Sequence, residues 1–413
     1  MENEEAISLV NICEKALKSQ FEKIDSVALT NTKKVLDAFK KANVTLSNMA
    51  CSSGYGYEDT AKPKLCSLYK EIFKSEDAIV CPQITCGTHA LTLPLFGILR
   101  PGDTMLSITG KPYDTMDDII NGVENKDIGS LKDFNISYSF IEMKGDKIDV
   151  AKCLKTIEKL KPKLIYIQRS RGYSTREALS VYYIKDVIKK IREIDNKTVI
   201  MVDNCYGEFT EDIEPIEAGA DICAGSLMKN AGGGIAPTGG YIVGRKDLVE
   251  LSSGRLTSPT LGIEVGSYNA SYYPFFEGIF VAPHVVACAL KGNILLGKVL
   301  SKLGINSIPK VGFIPHDTVR SIMFNDKDKL ISFCQLVQSL SPIDSNVTPI
   351  PWLMPGYKDE VIMAAGTFIQ GSTMELSCDG PIRPPYICYI QGGLTYEHVK
   401  ILAIETAKLL SNS

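Results

Sequence analysis

Apolar and polar positions follow two different periods along the chain, and the period changes repeatedly. In residues 4–42, apolar side chains such as Ile7, Val10 and Leu17 recur at helical spacing with charges between them, which predicts amphipathic helices. Short apolar runs then predict strands, and they lie at residues 105–108, 136–141, 164–168, 198–203, 222–226 and 239–243. Helical segments separate most of these runs, so we predict an α/β fold with a mainly parallel sheet.

The longer helical patterns indicate how the chain divides. An apolar stretch at residues 78–82 is followed by a predicted buried helix at 91–99, and a long helical run covers 285–303. We place the start of a smaller C-terminal domain within that run. The predicted organisation is an N-terminal helical segment or arm at 1–50, a large cofactor-binding domain at 51–290 and a small α+β domain at 291–413.

The composition favours an intracellular enzyme. The 413 residues are 45% hydrophobic, which is enough to fill the cores of a large and a small domain. The formal charge of −3 gives no basic surface, so we expect no nucleic-acid partner. The acidic start of the chain lacks the order of a signal peptide, and we find no stretch apolar and long enough to span a bilayer. We therefore expect a cytoplasmic protein without a membrane partner.

Two charged residues stand where predicted strands end. Lys229 comes just beyond the run at 222–226 and precedes a glycine-rich turn, and Asp203 closes the run at 198–203. Open α/β sheets place their ligand sites at these ends. A lysine that forms a Schiff base and an aspartate that pairs with a pyridine nitrogen together suggest pyridoxal phosphate. Taken alone, Lys229 would first be interpreted as a solvated turn residue.

The segment from Gly87 supplies a candidate phosphate site. Gly87 and Thr88 open the predicted helix at 91–99, and free amides at a helix start together with a hydroxyl bind anions. Ser226, three residues before Lys229, could add a second hydroxyl. By itself such a start is weak evidence, because most are ordinary caps.

The metal-ligating residue types show no ligand spacing. The twelve cysteines include no Cys-x-x-Cys pair, and the four histidines are far apart in sequence, so we expect neither a metal site nor disulfides. Cys86 and Cys205 stand next to candidate site residues. We interpret both as packing residues, because a cysteine in an apolar setting needs no reactive role.

Six segments together resemble a known family. They are Gly-Thr-His-Ala at 87–90, Gly-Lys-Pro-Tyr-Asp at 110–114, Gln-Arg-Ser-Arg-Gly-Tyr at 168–173, Val-Asp-Asn-Cys-Tyr-Gly-Glu-Phe at 202–209, Ser-Leu-Met-Lys-Asn at 226–230 and Gly-Pro-Ile-Arg at 380–383. Their order is similar to the bacterial methionine gamma-lyase-like family, whose members are often labelled aluminium resistance proteins. The resemblance spans nearly the whole chain and extends to the cystathionine lyases. It implies a fold type I, pyridoxal-phosphate-dependent transferase-like fold.

The resemblance also implies roles for individual residues. It makes Lys229 the lysine that bonds to the cofactor, Asp203 the partner of the ring nitrogen, and Gly87, Thr88 and Ser226 phosphate contacts. It further implies a homodimer or homotetramer with the active site at the subunit interface.

Three tyrosines are implied as further cofactor contacts. Tyr113 matches the aromatic residue that stacks on the cofactor ring and can move protons, although Lys-Pro-Tyr-Asp is also an ordinary turn composition. Tyr55 and Tyr57 lie in the loop that the cystathionine enzymes lend to a neighbouring subunit's phosphate. The arginine expected after them is replaced by Glu58-Asp59, and Met228 stands where a hydroxyl residue usually precedes the lysine.

Arg383 is our choice for the group that binds the substrate carboxylate. A guanidinium fork holds a carboxylate through two parallel hydrogen bonds, and Arg383 stands in a loop stiffened by Pro384 and Pro385. The other candidates for this role are Arg169, Arg171 and Arg176. A structural ion pair is an equal alternative for any one arginine.

The expected activity is that of a carbon–sulfur lyase. The resemblance implies a small amino-acid substrate of the methionine, homocysteine or cystathionine type, with β- or γ-elimination to a 2-oxo acid, ammonia and a thiol. A γ-replacement transferase with the same cofactor is the first alternative. A non-catalytic α/β binding protein is the second, although no Gly-x-Gly-x-x-Gly follows an early strand.

Overall fold

The computed structural model describes residues 1–57, 59–354 and 359–411. Its helices are α1 (Asn3–Ala16), α2 (Lys18–Lys41), α3 (Ala61–Phe73), α4 (Gly87–Ile98), α5 (Asp114–Asn121), α6 (Val150–Leu160), α7 (Val181–Ile194), α8 (Lys246–Ser253), α9 (Tyr273–Lys302), α10 (Lys327–Ser339) and α11 (Tyr396–Ser411). Its strands are β1 (Asp77–Cys81), β2 (Thr104–Ser107), β3 (Ser137–Phe140), β4 (Leu164–Gln168), β5 (Val199–Asp203), β6 (Ile222–Ser226), β7 (Gly240–Gly244), β8 (Asn306–Ile308), β9 (Val319–Met323), β10 (Val361–Ala364), β11 (Ser377–Pro381) and β12 (Ile387–Gln391).

Seven strands form the larger sheet, in the order β1-β7-β6-β5-β4-β2-β3. The strands from β6 to β3 in this order run parallel, and β7 is antiparallel to both of its neighbours. Each of the six predicted strand runs overlaps one of these strands. The predicted α/β class with a mostly parallel large sheet is confirmed.

The central strands carry polar side chains at their carboxyl ends. All residues of β4, β5 and β6 are buried, as expected for a parallel sheet with both faces covered. Their last residues are Gln168, Asp203 and Ser226. Because the parallel strands end at one edge, these three polar groups face the same side of the molecule.

Five antiparallel strands form the second sheet, in the order β10-β11-β12-β9-β8, and α10 packs against β10 and β11. This arrangement is the smaller α+β part of the predicted fold. The predicted domain boundary at residue 290 falls inside α9, and the division of the chain into domains stays a prediction.

The long helix α9 corrects one expectation. By length and composition it could cross a membrane, so the statement that no stretch is apolar and long enough is wrong. However, 78% of its most apolar window is buried inside the protein. It packs against α2, α11 and the turn that follows Lys229, which is the packing of a core helix.

Candidate active site

A cavity of about 470 Å³ lies where the carboxyl edge of the large sheet meets the small sheet. The large sheet and its loops contribute the predicted residues, namely Gly87, Thr88, Tyr113, Asp203, Ser226 and Lys229. The small sheet contributes Val319, Met363, Asp379, Tyr389 and Gln391. The structure therefore brings six of the predicted site residues to one cavity.

Lys229 lines this cavity and is half-buried. Its Nζ lies 3.8 Å from the centroid of the Tyr206 ring, a cation–π distance. Burial opposes the charged amine, but the neighbouring Cys205, Tyr206 and Asp203 side chains raise the pKa of Lys229 above its ordinary value. An amine held in this way is positioned for covalent chemistry but needs a change in its surroundings to become nucleophilic.

Asp203 is held by hydrogen bonds to both carboxyl oxygens. The Tyr166 hydroxyl donates to Oδ2 at 3.1 Å, and the Cys205 backbone amide donates to Oδ1 at 3.0 Å. Burial raises the pKa of Asp203, while Lys229 opposes the rise. A cation beside this carboxylate, such as a protonated pyridine nitrogen, would stabilise its charged form.

The start of α4 forms a second wall. Thr88 and Tyr113 share a hydrogen bond of 2.9 Å between their hydroxyl oxygens. A Cβ atom at Gly87 would lie 3.2 Å from Cys205 Sγ and 4.0 Å from Lys229 Nζ. The missing side chain at Gly87 thus opens a cradle in front of the helix amides, where an anion fits.

Tyr113 also combines position with burial. Its backbone amide donates to Gln168 Oε1 at 3.1 Å, which fixes the turn before α5. Burial and the neighbouring Asp203 carboxylate raise the pKa of Tyr113. The alternative of a surface turn aromatic therefore does not apply, because this phenol is partly buried and lines the cavity.

Ser226 and Met228 stand on the same wall. The Ser226 hydroxyl accepts a hydrogen bond of 3.1 Å from the Met228 amide, and both residues line the cavity. The thioether of Met228 cannot replace the hydroxyl usual before the lysine. Any phosphate ligand beyond Thr88, Ser226 and the α4 amides therefore has to come from elsewhere.

The two cysteines beside the cavity are in packing or capping positions. Cys86 is the N-cap of α4, and its sulfur accepts from the His89 amide at 3.4 Å. Burial, reinforced by Asp203, raises the pKa of Cys205 well above the ordinary value, so its thiol stays neutral.

Three predicted contact residues lie outside this cavity. Tyr55 and Tyr57 stack on each other with ring centroids 5.4 Å apart, and each is 68% exposed. Arg383 pairs with Asp359 at 2.8 Å on the surface. Within a single chain the structure does not bring these side chains to Lys229, and their roles stay predictions. Glu58 lies outside the described residues.

The alternative arginines are engaged in the interior. Arg169 pairs with Glu211 at 2.6 Å, and Arg171 pairs with Asp317 at 3.2 Å. Arg176 donates to backbone carbonyls at the end of β4. All three hold the loop after β4, which contributes Ser170, Gly172 and Tyr173 to the cavity.

Sequence reasoning missed two cavity residues. Tyr206 lies under the Lys229 amine and has a positive φ of 70°, which is uncommon for a residue with a side chain. Asp379 accepts a short hydrogen bond from Tyr173 Oη, and burial raises its pKa to about 7. The position of Tyr206, three residues past Asp203, was an available signal. Asp379 lies on a strand that the sequence pattern did not predict.

The fold and the cavity define a class of protein. The pyridoxal-phosphate-dependent protein YhfS of Escherichia coli shares this fold with a TM-score of 0.64, at 14% identity, over 94% of this chain and 97% of that chain. The lysine, aspartate, tyrosine and helix start fit the cofactor of that class. This is the fold of the fold type I pyridoxal-phosphate enzymes.

Sequence comparison identifies the family within this class. The methionine gamma-lyase family profile matches residues 6–410, and the chain belongs to that family. The uncharacterized protein YnbB of Bacillus subtilis (strain 168) is 48% identical over 378 residues, which are 91% of this chain and 90% of that protein.

Solved structures of relatives agree over the whole chain. A Clostridium acetobutylicum protein has a TM-score of 0.95 at 43% identity, covering 98% of this chain and 95% of that chain. A Clostridium novyi NT protein named as a carbon–sulfur lyase involved in aluminum resistance has a TM-score of 0.94 at 44% identity, covering 99% and 96%. The predicted resemblance is confirmed at the level of the family.

Proposed function

We propose that this chain is a pyridoxal-phosphate-dependent carbon–sulfur lyase acting on a sulfur-containing amino acid. The observation that carries the proposal is that Lys229 lines one cavity with Asp203, Tyr113 and the open N-terminus of α4. Family membership and the name of the Clostridium novyi relative support the same reaction class.

The residues that line the cavity would have different roles in this reaction. Lys229 would be the covalent attachment point, the α4 amides with Thr88 and Ser226 would hold the phosphate, and Asp203 would pair with the ring nitrogen. Bound pyridoxal phosphate supplies the electron sink for the pair left when the substrate loses its Cα proton. The protein's part is to position that bond and to move protons.

Lys229 and Tyr113 are the proton carriers. With cofactor and substrate bound, the Lys229 amine, which lines the cavity, would accept the Cα proton. The Tyr113 hydroxyl, linked to Thr88, would deliver a proton to the departing sulfur. With one water molecule consumed, the products are a thiol, ammonia and a 2-oxo acid.

We also propose that the protein is a homodimer or homotetramer. Tyr55 and Tyr57 are exposed and lie on a separate depression formed by residues 50–53, 55–57, 59 and 60. They are thus available to a neighbouring copy's phosphate site. Analytical ultracentrifugation tests this, and a monomer at assay concentration would contradict it.

The activity is tested by identifying the products. Cofactor-loaded protein is incubated separately with methionine, homocysteine, cystathionine and cysteine, and the 2-oxo acids are measured by mass spectrometry. We expect 2-oxobutyrate from γ-elimination or pyruvate from β-elimination, and none with Lys229→Ala. If no 2-oxo acid forms but an added thiol is incorporated, the reaction is replacement and the lyase proposal is wrong.

A further inference from the structure

Three buried cysteines meet in the small sheet, away from the candidate active site. Cys334 lies on α10, Cys378 on β11 and Cys388 on β12, and their sulfur atoms all lie within 4.8 Å of one another. The Cys334 and Cys378 sulfurs are 3.6 Å apart. The residues are 44 and 10 positions apart in sequence, so linear spacing could not predict this cluster.

The cluster lies between α10 and the inner face of the sheet. It belongs to the hydrophobic core that includes Leu330, Phe333, Val337 and Ile362, and all three cysteines have no solvent exposure. Asp379, the next residue after Cys378, projects from the opposite face because side chains alternate along a strand. The thiols and the Lys229 cavity are therefore on opposite faces of the small sheet.

The distances between the three sulfur atoms suit an ion bound by thiolates. Four sulfurs around a tetrahedral zinc at about 2.3 Å are about 3.8 Å apart. The distance of 3.6 Å between the Cys334 and Cys378 sulfurs is close to this value. The upper limit of 4.8 Å on all three sulfur–sulfur distances also allows it. Three sulfurs from three different elements surround one point, and such soft ligands select thiophilic ions.

The net charge of the bound site then distinguishes between divalent and trivalent thiophilic ions. All three sulfurs lie in an apolar core and have no solvent exposure. Three thiolates around a divalent ion would leave a net negative charge in an apolar core, which is costly. Three thiolates around a trivalent ion carry no net charge.

We propose that Cys334, Cys378 and Cys388 form a binding site for trivalent arsenic or a chemically similar thiophilic ion. Arsenous acid, As(OH)₃, exchanges its three hydroxyl groups for the three thiols. Three As–O bonds and three S–H bonds break, three As–S bonds form, and three water molecules leave. No electrons are transferred, and a neutral reactant gives a neutral product.

Entry requires local opening of α10. This helix has exposed residues along its outer side, including Lys327, Asp328 and Ser339, and it covers the cluster on one side only. Surface helices open locally at lower cost than whole domains. Once bound, the ion would tie α10 to β11 and β12 and stabilise the closed state.

Native mass spectrometry of the full-length, cofactor-loaded protein with arsenite under reducing conditions tests the proposal. We expect one arsenic bound per chain with loss of three protons. This shift should vanish in Cys334→Ala, Cys378→Ala and Cys388→Ala. It should persist in Cys153→Ala, a matched control that is also fully buried but lies on α6.

A measurement on the wild-type protein avoids dependence on the folding of the variants. X-ray absorption at the arsenic edge should give three sulfur neighbours and no oxygen. Fewer than three sulfurs, retention of the shift in the cluster variants, or no bound arsenic would overturn the proposal. Binding of zinc in preference to arsenite, in the same experiment with zinc alone and in competition, would also overturn it.

Discussion

At the scale of single residues, the candidate active site depends on the charge of the buried Asp203 carboxylate. Asp203 is buried and has hydrogen bonds from Tyr166 and the Cys205 amide. Removing its charge should affect catalysis far more than removing one of its donors. The two effects can be separated by a pair of conservative variants.

We predict that Asp203→Asn lowers kcat about 100-fold or more, because the cofactor ring loses the carboxylate that stabilises its protonated form. The matched control Tyr166→Phe removes only the 3.1 Å hydrogen bond and should lose about tenfold or less. Steady-state kinetics with the best substrate measure both. Equal losses would show that the carboxylate charge has no special role.

Asp379 gives a pH prediction. Burial raises its pKa to about 7 in the folded protein, compared with about 4 in an unfolded chain. Between these values the folded carboxyl keeps a proton that the unfolded chain releases. The wild-type free energy of unfolding therefore falls as pH rises through this window.

In Asp379→Asn the side chain is neutral at every pH. Its free energy of unfolding should therefore not fall through this pH window. Relative to wild type, the variant should gain about 4 kcal/mol in free energy of unfolding between pH 4 and pH 8. Urea unfolding at both pH values measures the change, and the exposed Asp127→Asn is the control. A pH-independent difference would contradict the proposed titration.

Single residues differ in how far sequence could reveal them. Lys229, Asp203 and Gly87 follow apolar runs, so their place at the sheet edge follows from the strand pattern alone. Asp379 reaches the same cavity from a different sheet, and no local pattern encodes the meeting of two sheets. Arg383 was chosen by its chemistry; within the single chain it pairs with Asp359 on the surface, and its role stays a prediction.

At the scale of elements, the N-terminus of α4 carries the anion site. A side chain at Gly87 would fill the cradle between Cys205 and Lys229. We predict that Gly87→Ala weakens pyridoxal phosphate binding at least about tenfold, or about 1.4 kcal/mol. Fluorescence titration of the cofactor into apoprotein measures this.

Gly254→Ala is the control for Gly87→Ala. Its added Cβ would meet Pro259 at 3.3 Å, a contact of similar tightness, in an ordinary backbone conformation at the end of α8. It should leave cofactor affinity unchanged. Equal weakening by both variants would mean that Gly87 acts through general packing.

Elements also show why helix boundaries are hard to predict. The sequence pattern placed a helix at 285–303, whereas α9 begins at Tyr273 and ends at Lys302. Pro274 and Pro283 precede the predicted start. Pro274 stands at the helix N-terminus, where a missing amide costs nothing, and the buried surroundings of Pro283 maintain the helix across it.

At the scale of the whole molecule, a buried ion pair joins the two sheets. Arg171, in the loop after β4, contacts Asp317, which precedes β9, at 3.2 Å. The Ser170 hydroxyl donates to the same carboxylate at 2.9 Å, and Ser170 lines the cavity. The pair therefore sets the position of the small sheet over the candidate site.

We predict that Asp317→Asn lowers the free energy of unfolding by about 3–5 kcal/mol, because it leaves the buried Arg171 charge with only the Glu177 carboxylate, 3.9 Å away. Asp247→Asn breaks the exposed pair with Arg245 and should cost about 1 kcal/mol or less. Chemical denaturation measures both. A small effect at Asp317 would mean that the sheets are held by apolar packing alone.

The proposal that pyridoxal phosphate attaches to Lys229 is tested most directly by locating the cofactor on the chain. Protein loaded with pyridoxal phosphate is reduced with borohydride, digested and mapped by mass spectrometry. We predict a single pyridoxyl modification at Lys229. In Lys229→Ala this modification should disappear, together with the visible absorption band of the bound cofactor. A modification at another lysine, such as the buried Lys62, or no modification at all would contradict it.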